Sequence, residues 1–493
     1  MLLIGDDSLT LDSDTVFIEK IDDVFVKVDA EFGIRQELVE YFTFMVPGYT
    51  FMPAYRNKMW DGKIRLYNNM NKTLYTGLIP YIYKFAEERK YKIENAALDT
   101  EENFTTEDAI AYCKELTLPF EVRDYQIEAF VHAIRKKRAL LLSPTASGKS
   151  LIIYLMVRYL DLKTLIIVPT TSLVYQLEKD FVEYGMDPDI IHTVSAGHAK
   201  TSDKKIVIST WQSQHKINKS EMQGYDLLVG DEAHLFKAKS LTNIMSKLID
   251  CPYRFGMTGT LDGTTTHRLV LEGLFGPVKH VTRTSELIEK KQLADFDIDV
   301  CVLEYPKDER ALAKAWDYNG EIGYLISHEK RNKFITNLCV NLEGNSLVLF
   351  QRVEAHGRIL YDMIREKAND GAFVYFVHGG TAAETREEIR TTVEEQTNAI
   401  IVASYGVFST GVNIRNLDNI VFASPSKSRI RNLQSIGRGL RRSDTKSKAR
   451  LLDIADDFST KGYKNYTLKH FMERLKIYRS EKFPYKIHSV KMR

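Results

Sequence analysis

Residues 138–160 read RALLLSPTASGKSLIIYLMVRYL, and this stretch decides the fold of the chain around it. The mostly apolar run at 138–142 predicts a buried strand, and the apolar run that begins at residue 151 predicts a helix. The turn between them, SPTASGKS at 143–150, is typical of a loop whose backbone N–H groups surround phosphates at a helix N-terminus. We therefore expect a nucleoside triphosphate to be bound by Ser143, Pro144, Thr145, Ala146, Ser147, Gly148, Lys149 and Ser150.

Three residues of this loop have separate expected tasks. Lys149 is expected to reach the β- and γ-phosphates, and the Ser150 hydroxyl is expected to ligate a magnesium ion that arrives with the nucleotide. Ser143 stands where loops of this kind usually have their first glycine. The loop sequence therefore needs support from a second motif before hydrolysis can be predicted.

That support comes from YDLLVGDEAH at 225–234, an apolar strand that ends in two carboxylates. Asp231 is placed to hold the magnesium shell, and Glu232 to orient or deprotonate the attacking water. Acidic pairs are common on solvated surfaces, but this pair follows a buried strand. Because the carboxyl ends of neighbouring parallel strands meet at one edge of a sheet, Asp231 and Lys149 are expected to meet. The two motifs together predict hydrolysis of a nucleoside triphosphate.

From about residue 112 onward, short β-branched runs alternate with helical stretches, which predicts parallel sheets with crossover helices. The rhythm breaks at Gly276–Pro277 and then begins again, so we expect an α/β fold with two tandem parallel-sheet domains. The predicted strands are 138–142, 164–168, 206–209, 227–229 and 253–257 in the first domain, and 346–350, 373–377, 399–403, 419–422 and 450–453 in the second. The predicted divisions are a small α+β domain at 1–110, two α/β domains at 111–280 and 281–458, and a basic helical tail at 459–493.

Composition and charge exclude several classes of protein. The chain has 493 residues, of which 44% are hydrophobic and 27% charged, as in globular proteins and unlike disordered or collagen-like chains. No apolar run of about 18 residues is present, and five acids in the first 20 residues are unlike a signal peptide. The four cysteines are widely spaced, which favours a reducing compartment. We expect a protein of the cytoplasm with no membrane contact.

The basic charge is concentrated near the two ends of the chain. Residues 51–93 carry nine bases and three acids, and residues 421–493 carry nineteen bases and six acids. Concentrated lysine and arginine attract phosphate backbones regardless of base sequence, whereas a solvated helix face would have the same composition. For the tail, a helix at 468–482 with an apolar stripe is expected to dock on the second α/β domain rather than bind nucleic acid.

Further motifs follow in an order that resembles the superfamily 2 helicases and translocases. They are RDYQ at 123–126, VPTTSLVYQ at 168–176, STWQS at 209–213, MTGT at 257–260, LVLFQRVEAHG at 347–357, ASYGVFSTGVNI at 403–414 and QSIGRGLRR at 434–442. The resemblance covers residues 120–455 and implies two RecA-like motor domains that use ATP and magnesium. Within the superfamily the chain most resembles the recombination helicases of T-even phages, through WDGKIRL at 60–66, the form of the phosphate loop and EKFPY at 481–485. It departs from them in having DEAH at 231–234.

The resemblance also implies roles for individual residues. Arg123 and Gln126 would contact adenine, and Gly411 would contact the nucleotide. His234, Thr258 and Thr260 would couple hydrolysis to strand binding. Gln434 would position the water or the γ-phosphate, while Arg438 and Arg441, on one helical face, would stabilise charge on the γ-phosphate. Hydroxyl and basic side chains at Thr170, Thr210, Arg352 and Thr410 would hold the nucleic-acid backbone.

In the small N-terminal domain, the bases Arg56, Lys58, Lys63 and Arg65 flank Trp60. The bases are expected to face DNA, with solvated positions as the alternative. Two interpretations of Trp60 are open, a buried core residue or a platform for an exposed base.

We expect an ATP-dependent DNA helicase or translocase, active as a monomer on branched or partly single-stranded DNA in phage recombination, repair or replication. Branch migration, junction unwinding and annealing are the expected reactions. Three alternatives stay open: an ATP-switched annealing protein, a helicase on RNA or RNA–DNA hybrids, and the motor subunit of a restriction enzyme. The sequence has no convincing nuclease cluster to favour the last of these.

Overall fold

The structure is a computed structural model, and it describes residues 14–96, 101–194, 202–235, 238–261, 265–369, 371–410, 414, 416–425, 428 and 448–492. The described residues divide into two compact units. One comprises the residues up to Val281 except 144–147, and the other comprises 144–147 and the residues from Thr282 onward.

The first unit begins with a mixed four-stranded sheet and a separate two-stranded sheet. Its elements are β1 (Thr15–Lys20), β2 (Phe25–Asp29), α1 (Phe32–Tyr41), β3 (Thr43–Met45), α2 (Pro53–Arg56), β4 (Lys63–Arg65), β5 (Thr73–Tyr75), α3 (Ile79–Arg89) and β6 (Lys92–Asn95). The larger sheet has the order β5-β2-β1-β6, and β3 pairs with β4 in antiparallel register. Alternating burial along β2 places Val26 and Val28 in the core and leaves Lys27 exposed, as expected for a sheet covered on one face. This part is the predicted α+β domain.

The rest of the first unit is a seven-stranded parallel sheet with helices. Its elements are α4 (Thr106–Glu115), α5 (Asp124–Lys136), β7 (Arg138–Leu142), α6 (Lys149–Leu160), β8 (Thr164–Val168), α7 (Thr171–Glu183), β9 (Ile191–Val194), β10 (Ile206–Thr210), α8 (Trp211–Gln214), β11 (Leu227–Gly230), α9 (Ala238–Met245), β12 (Tyr253–Thr258), α10 (Thr265–Phe275) and β13 (Val278–His280). The strand order is β13-β7-β12-β11-β8-β10-β9. Strands such as β8 and β11 are buried along their whole length, which is why they are apolar runs without alternation.

The N-terminal sheets are fixed to the parallel sheet. Buried side chains from both parts form one hydrophobic core. The Asp23 backbone N–H donates to the Ile249 carbonyl at 2.8 Å. Gly77 lies so close to α10 that a Cβ there would be 2.0 Å from the Glu272 carbonyl oxygen. The two parts of the first unit therefore move together.

The second unit is another seven-stranded parallel sheet, in the order β16-β17-β15-β18-β19-β14-β20. Its elements are α11 (Thr284–Glu289), β14 (Asp295–Glu304), α12 (Lys307–Leu312), α13 (Tyr318–Ser327), α14 (Glu329–Val340), β15 (Ser346–Phe350), α15 (Ile359–Lys367), β16 (Phe373–Val377), α16 (Ala383–Glu394), β17 (Ala399–Ser404), α17 (Tyr405–Thr410), β18 (Asn419–Phe422), β19 (Lys448–Asp457), α18 (Tyr466–Ser480) and β20 (Tyr485–Lys491). A π-helical turn at Val353–Arg358 leads into α15.

The predicted architecture of two parallel-sheet domains is confirmed, with two corrections at the predicted boundaries. The boundary at residue 110 falls inside α4, whose N-terminus at Thr105 has a reciprocal capping box with Asp108. The tail is not only helical, because β20 follows α18 and pairs in parallel with β14. The tail is thus an integral part of the second sheet. The four-part division itself stays a prediction.

The predicted tail helix is present as α18, and a buried carboxylate fixes where it begins. Glu321 accepts hydrogen bonds from the backbone N–H groups of Tyr466 and Thr467, at 2.9 and 2.7 Å. Phe471, Ile477 and Tyr478 of this helix are buried against the second sheet. The helix therefore docks on the second parallel sheet, as the apolar stripe predicted.

Candidate functional site

The phosphate loop connects β7 to α6 with two residues in left-handed conformation, Ala146 at φ 66° and Gly148 at φ 77°. Ser143 is buried at the end of β7, and its backbone N–H donates to the Thr258 carbonyl at 2.8 Å. Its φ is not positive, so serine meets no backbone penalty where a glycine is usual. Lys149 is the first residue of α6. The loop therefore presents its lysine and the free N–H groups of a helix N-terminus together, as phosphate binding requires.

Of the two predicted adenine-reading residues, Gln126 of α5 contacts the phosphate loop, and Arg123 precedes this helix as its N-cap. The buried Gln126 amide oxygen accepts from the Arg123 backbone N–H at 2.9 Å, and its amide nitrogen is 3.5 Å from the Gly148 carbonyl. A Cβ on Gly148 would lie 2.4 Å from that amide nitrogen. Position 148 therefore needs glycine for two reasons, its positive φ and the close approach of Gln126. Contact of Arg123 and Gln126 with a base stays a prediction.

Asp231 and Glu232 directly follow β11, as the sequence predicted. The side chain of Lys149 extends from the phosphate loop toward these carboxylates, and its Nζ is 3.3 Å from Glu232 Oε1. The Asp231 carboxylate accepts from the Glu232 backbone N–H at 2.9 Å, and Glu232 has a left-handed φ of 49°. Desolvation, reinforced by the charge of Glu232, raises the pKa of Asp231 to about 7. The site therefore concentrates more negative charge than Lys149 alone offsets.

Such a site suits a divalent cation with oxygen ligands. Asp231 supplies a carboxylate and Ser150 a hydroxyl, and both are hard donors of the type magnesium prefers. The described residues include no group of three histidine, cysteine, aspartate or glutamate side chains that would hold a metal by themselves. Magnesium usually binds through one or two protein ligands together with phosphate and water.

The histidine of the acidic motif, His234, connects the carboxylates to β12. His234 Nδ1 is 2.6 Å from Thr258 Oγ1 and 3.4 Å from Glu232 Oε2, and its side chain is fully buried. The Thr258 hydroxyl in turn donates to the Thr260 carbonyl at 2.8 Å. The three residues predicted to couple hydrolysis to strand binding, His234, Thr258 and Thr260, are thus joined by hydrogen bonds, and His234 lies beside the Glu232 carboxylate.

Sheet order explains why these motifs meet. The strands that carry the phosphate loop, the coupling motif and the acidic motif, β7, β12 and β11, are direct neighbours with their carboxyl ends in register. The next strands, β8 and β10, end at Val168 and Thr210 and lead into the two motifs predicted to grip nucleic acid. Nucleotide and nucleic-acid motifs therefore occupy one continuous edge of one sheet.

The two predicted strand-gripping threonines of this sheet have local partners. The Thr170 hydroxyl accepts from the Leu173 backbone N–H at 3.4 Å and caps α7. Thr210 Oγ1 is 3.1 Å from Ser213 Oγ. Gln212 donates to the Pro169 carbonyl at 3.2 Å, which ties the two motifs together. Their contact with nucleic acid stays a prediction.

Tyr184 is a residue at this site that the sequence reasoning missed. Its hydroxyl is 3.0 Å from Ser150 Oγ, the predicted magnesium ligand. Burial raises the pKa of Tyr184 to about 12, so the phenol stays protonated. Its ring contacts Tyr154 and Phe120 edge-on at 5.4 Å each. No motif marks this tyrosine, because it reaches Ser150 from the far end of α7.

In the second unit, Arg352 is exposed and follows β15. Ser424, which the sequence reasoning also missed, joins two motifs of this unit, those at 347–357 and 403–414. Its hydroxyl is 3.0 Å from His356 Nδ1 and accepts from the Gln351 backbone N–H at 3.2 Å, while its carbonyl accepts from the Tyr405 hydroxyl at 3.1 Å. Burial lowers the pKa of His356 to about 3, so this histidine stays neutral.

Several predicted site residues of the second unit lie outside the described residues. They are Gly411, Gln434, Arg438 and Arg441, together with the side chain of Thr410.

The predicted DNA-facing bases of the N-terminal domain, Arg56, Lys58, Lys63 and Arg65, are all exposed. Arg65 forms an ion pair with Asp61 at 2.5 Å. Trp60 is half-buried, and its indole N–H donates to the Lys63 carbonyl at 2.8 Å. Of the two interpretations of Trp60, that of a buried core residue is not what the structure shows, since the indole N–H is hydrogen-bonded while part of the side chain is accessible.

Three family models match the chain. They are the N-terminal domain of the DNA helicase UvsW at residues 16–95, the res subunit of type III restriction enzymes at 119–263, and the conserved C-terminal domain of helicases at 329–443. The first match covers the four-stranded sheet, and the other two cover most of the parallel sheets. None of the described helices is long and apolar enough to cross a bilayer.

Individual relatives agree with these models. The ATP-dependent DNA helicase uvsW of Enterobacteria phage T4 is 34% identical, over 95% of this chain and 98% of its own length. A DNA 3'-5' translocase XPB2 of Sulfurisphaera tokodaii is 23% identical, over 87% of this chain and 98% of its own. The crystal structure of T4 UvsW aligns with a TM-score of 0.52 at 32% identity, over 97% of this chain and 99% of that one. A fragment of a type I restriction enzyme subunit from Vibrio vulnificus shares the fold, with a TM-score of 0.57 at 17% identity over 78% of this chain and 72% of that one.

Proposed function

The chain belongs to the family of the UvsW DNA helicases, and on this premise we propose that it uses ATP hydrolysis to move along DNA and to remodel branched DNA. Its reactions are branch migration and the separation of strands at forks and junctions. The observation that carries the proposal is the single sheet edge on which Lys149, Glu232 and the His234–Thr258 pair adjoin the strands that lead to Thr170 and Thr210.

At the nucleotide, Lys149 leaves Glu232 and binds the β- and γ-phosphates, while the α6 N-terminus donates N–H groups to them. Glu232 then orients the attacking water and accepts its proton. Asp231 and Ser150 would hold magnesium, whose charge would neutralise the phosphate oxygens. Ser150 must leave Tyr184 to do so. Gln434, Arg438 and Arg441 complete the stabilisation of the γ-phosphate in this proposal.

Coupling runs through the buried hydrogen bonds. A change in the position or charge of Glu232 alters its contact with His234. His234 is hydrogen-bonded to Thr258, which in turn donates to Thr260 at the end of β12. Because buried polar networks have few alternative arrangements, a shift at one end is transmitted to the other.

DNA is held by its backbone, since a motor must accept any base sequence. Thr170 and Thr210 in the first unit, with Arg352 and Thr410 in the second, are the proposed contacts of the motor domains. The exposed bases Arg56, Lys58, Lys63 and Arg65 add phosphate contacts from the N-terminal domain. Replacing one of these bases with alanine should reduce DNA affinity equally for all sequences and reduce its salt dependence.

The proposed setting is the cytoplasm of an infected host cell, where the protein acts as a monomer on DNA. Light scattering of the protein with and without a junction checks the oligomeric state, and a stable dimer contradicts this part.

The decisive test measures ATP turnover with no nucleic acid, single-stranded DNA, duplex DNA, a four-way DNA junction and RNA. Junction dissociation is measured beside it for the wild type and Lys149→Ala. We expect the junction to stimulate turnover most, and Lys149→Ala to abolish both activities. Stimulation by DNA without strand separation indicates an annealing switch, stimulation by RNA alone contradicts a DNA motor, and normal turnover by Lys149→Ala contradicts the assigned site.

A further inference from the structure

The chain between β3 and β4 leaves the two-stranded sheet and returns to it, and we call residues 46–62 the protruding segment. Its base is closed by a hydrogen bond from the Val46 N–H to the Gly62 carbonyl at 2.9 Å. Inside it, the rings of Tyr49 and Tyr55 meet edge to face at 4.7 Å. A Cβ on Gly62, whose φ is 81°, would lie 2.5 Å from the Tyr49 ring. The segment therefore has a defined shape, which the contact between these two aromatic rings stabilises.

Large apolar side chains lie on the outside of this segment. Phe51 is 75% exposed, Met59 is 74% exposed and Met52 is 38% exposed. Tyr49 and Tyr55 are thus half-buried in the segment, whereas a phenylalanine and two methionines are exposed to solvent. Grouped apolar side chains of this size on a surface are typical of a contact site.

Charge identifies the chemistry of the partner. Residues 46–65 contain four bases and one acid. The acid, Asp61, forms an ion pair with Arg65, so Arg56, Lys58 and Lys63 are a net positive charge around the exposed apolar side chains. A partner that matches both features carries anionic groups beside flat apolar surfaces. An unpaired nucleotide, with its phosphate and its base, is such a partner.

We propose that the protruding segment is a wedge at which Phe51 and Met59 stack on the bases exposed at the branch point, while Arg56 and Lys58 contact the adjacent phosphates. This inference rests on the proposed function, because it assigns the place at which strands part. Inserted apolar side chains unstack base pairs in other DNA-binding proteins, and phenylalanine and methionine are among the residues that do so.

The attachment of the N-terminal sheets makes the wedge useful to a motor. The Asp23–Ile249 hydrogen bond, the close approach of Gly77 to Glu272 and the shared hydrophobic core fix these sheets to the first parallel sheet. A step of that sheet along DNA therefore carries the protruding segment with it. Force on the strand is applied at the motor, and the wedge meets the duplex as a rigid part of the same unit.

The test compares the double variant Phe51→Ala/Met59→Ala with the double variant Phe32→Ala/Met70→Ala. The control residues lie in the same domain and are 65% and 90% exposed. All four side chains are accessible, so neither variant is expected to lose folding stability. Each protein is assayed for ATP turnover with single-stranded DNA and for separation of a forked duplex that carries 2-aminopurine at the branch point.

We expect the wedge variant to keep ATP turnover within about twofold of wild type and to separate forks at least about fivefold more slowly, because stacking on a base is worth that much or more. It should also fail to change 2-aminopurine fluorescence at the branch. The control variant should match the wild type, and Phe51→Trp with Met59 intact should keep fork separation.

Three outcomes overturn the inference. The wedge variant separates forks at the wild-type rate, or its turnover on single-stranded DNA falls in parallel with separation, or the control variant loses as much. If the wild type itself hydrolyses ATP without separating forks, the proposed function fails first, and the comparison of variants is not needed to show it.

Discussion

The two parallel sheets both bury charged side chains, but they arrange them in opposite ways. At the edge of the first sheet, Asp231 and Glu232 adjoin one another, and Lys149 at 3.3 Å is the cation beside them. Desolvation by burial, and after it the charge of Glu232, raise the pKa of Asp231 to about 7. Glu232 also has a left-handed backbone, which a non-glycine residue adopts at a cost.

In the second sheet, buried charges are matched one to one on β19. Asp456 is bound by Arg331 at 2.8 Å and by the Tyr305 hydroxyl at 2.9 Å. Asp453, three residues away and so on the other face of the strand, is bound by Arg474 at 2.8 Å and by Tyr478. Both ion pairs are fully buried.

The difference separates function from architecture. The first sheet holds two adjacent carboxylates and a strained backbone, whereas the second sheet has a buried counterion for each buried carboxylate on β19. If this contrast is right, substitutions at the first sheet should change chemistry, and substitutions at the second should change stability. Four predictions test it.

The largest expected effect is on hydrolysis at the first sheet. Glu232→Gln should lower ATP turnover by about 10²–10⁴-fold, because the amide cannot accept a proton from the attacking water. Nucleotide binding, measured by a fluorescent ATP analogue, should be kept. Glu183→Gln, an exposed position on α7, is the control and should behave as wild type. Turnover within tenfold of wild type in Glu232→Gln would show that the carboxylate is not the base.

The next effect is on folding of the second sheet. Arg331→Met should reduce the free energy of unfolding by about 3–5 kcal/mol, because it leaves Asp456 buried without its cation. Arg450→Met is a matched control, since Arg450 pairs with Asp299 at 2.6 Å but is 48% exposed, and its loss should cost less than about 1 kcal/mol. Urea unfolding followed by circular dichroism measures both. Equal losses in the two variants contradict the contrast between buried and exposed pairs.

A smaller and opposite effect is expected at Asp231. Its pKa in the folded protein, about 7, lies above the ordinary 3.8, so the folded state holds the proton more tightly than the unfolded state. Stability of the nucleotide-free protein should therefore fall as pH rises from about 4 to about 7 and then level off.

Asp231→Asn removes that loss and should raise the free energy of unfolding at pH 8 by at most about 4 kcal/mol while abolishing hydrolysis. Thermal melts at pH 5.5 and pH 8 should show a larger gain at pH 8. A destabilised Asp231→Asn protein would mean that the carboxylates are already balanced within the protein.

The smallest effect concerns coupling. Thr258→Val removes the hydroxyl between His234 and the Thr260 carbonyl. We expect ATP turnover to stay within about threefold of wild type and fork separation to fall by about tenfold, close to the value of one buried hydrogen bond. Thr392→Val, an exposed position on α16, is the control. Parallel loss of turnover and separation would assign Thr258 to catalysis instead.

Much of the fold follows from local pattern. Fully buried strands such as Thr164–Val168 and Ser346–Phe350 were predicted at their observed bounds, because continuous apolar runs leave little choice of boundary. The strands β9, β13, β14 and β20 were missed. β13 has three residues, and β14 alternates acids with apolar residues, so neither is a continuous apolar run.

The strand β20 is the clearest example of an element that the sequence pattern does not predict. KIHSVK reads as an exposed basic tail, and most of its side chains are exposed in the structure. Its pairing with β14 is decided by backbone hydrogen bonds and by contacts such as His488 with Asp299 at 2.8 Å, across 189 residues. The amino-acid composition of this segment does not predict its register with β14.

The chemistry predicted for the nucleotide site can be read from SPTASGKS and DEAH, because these motifs place their functional atoms within a few residues of a strand end. Folding of the chain decides which distant residues contact the motifs, such as Tyr184 at Ser150 in the first unit and Ser424 at His356 in the second. It also decided that Phe51 and Met59 face outward. The physical reason is that a motif fixes local backbone geometry, whereas contacts between distant residues depend on strand order and packing, which are properties of the whole chain.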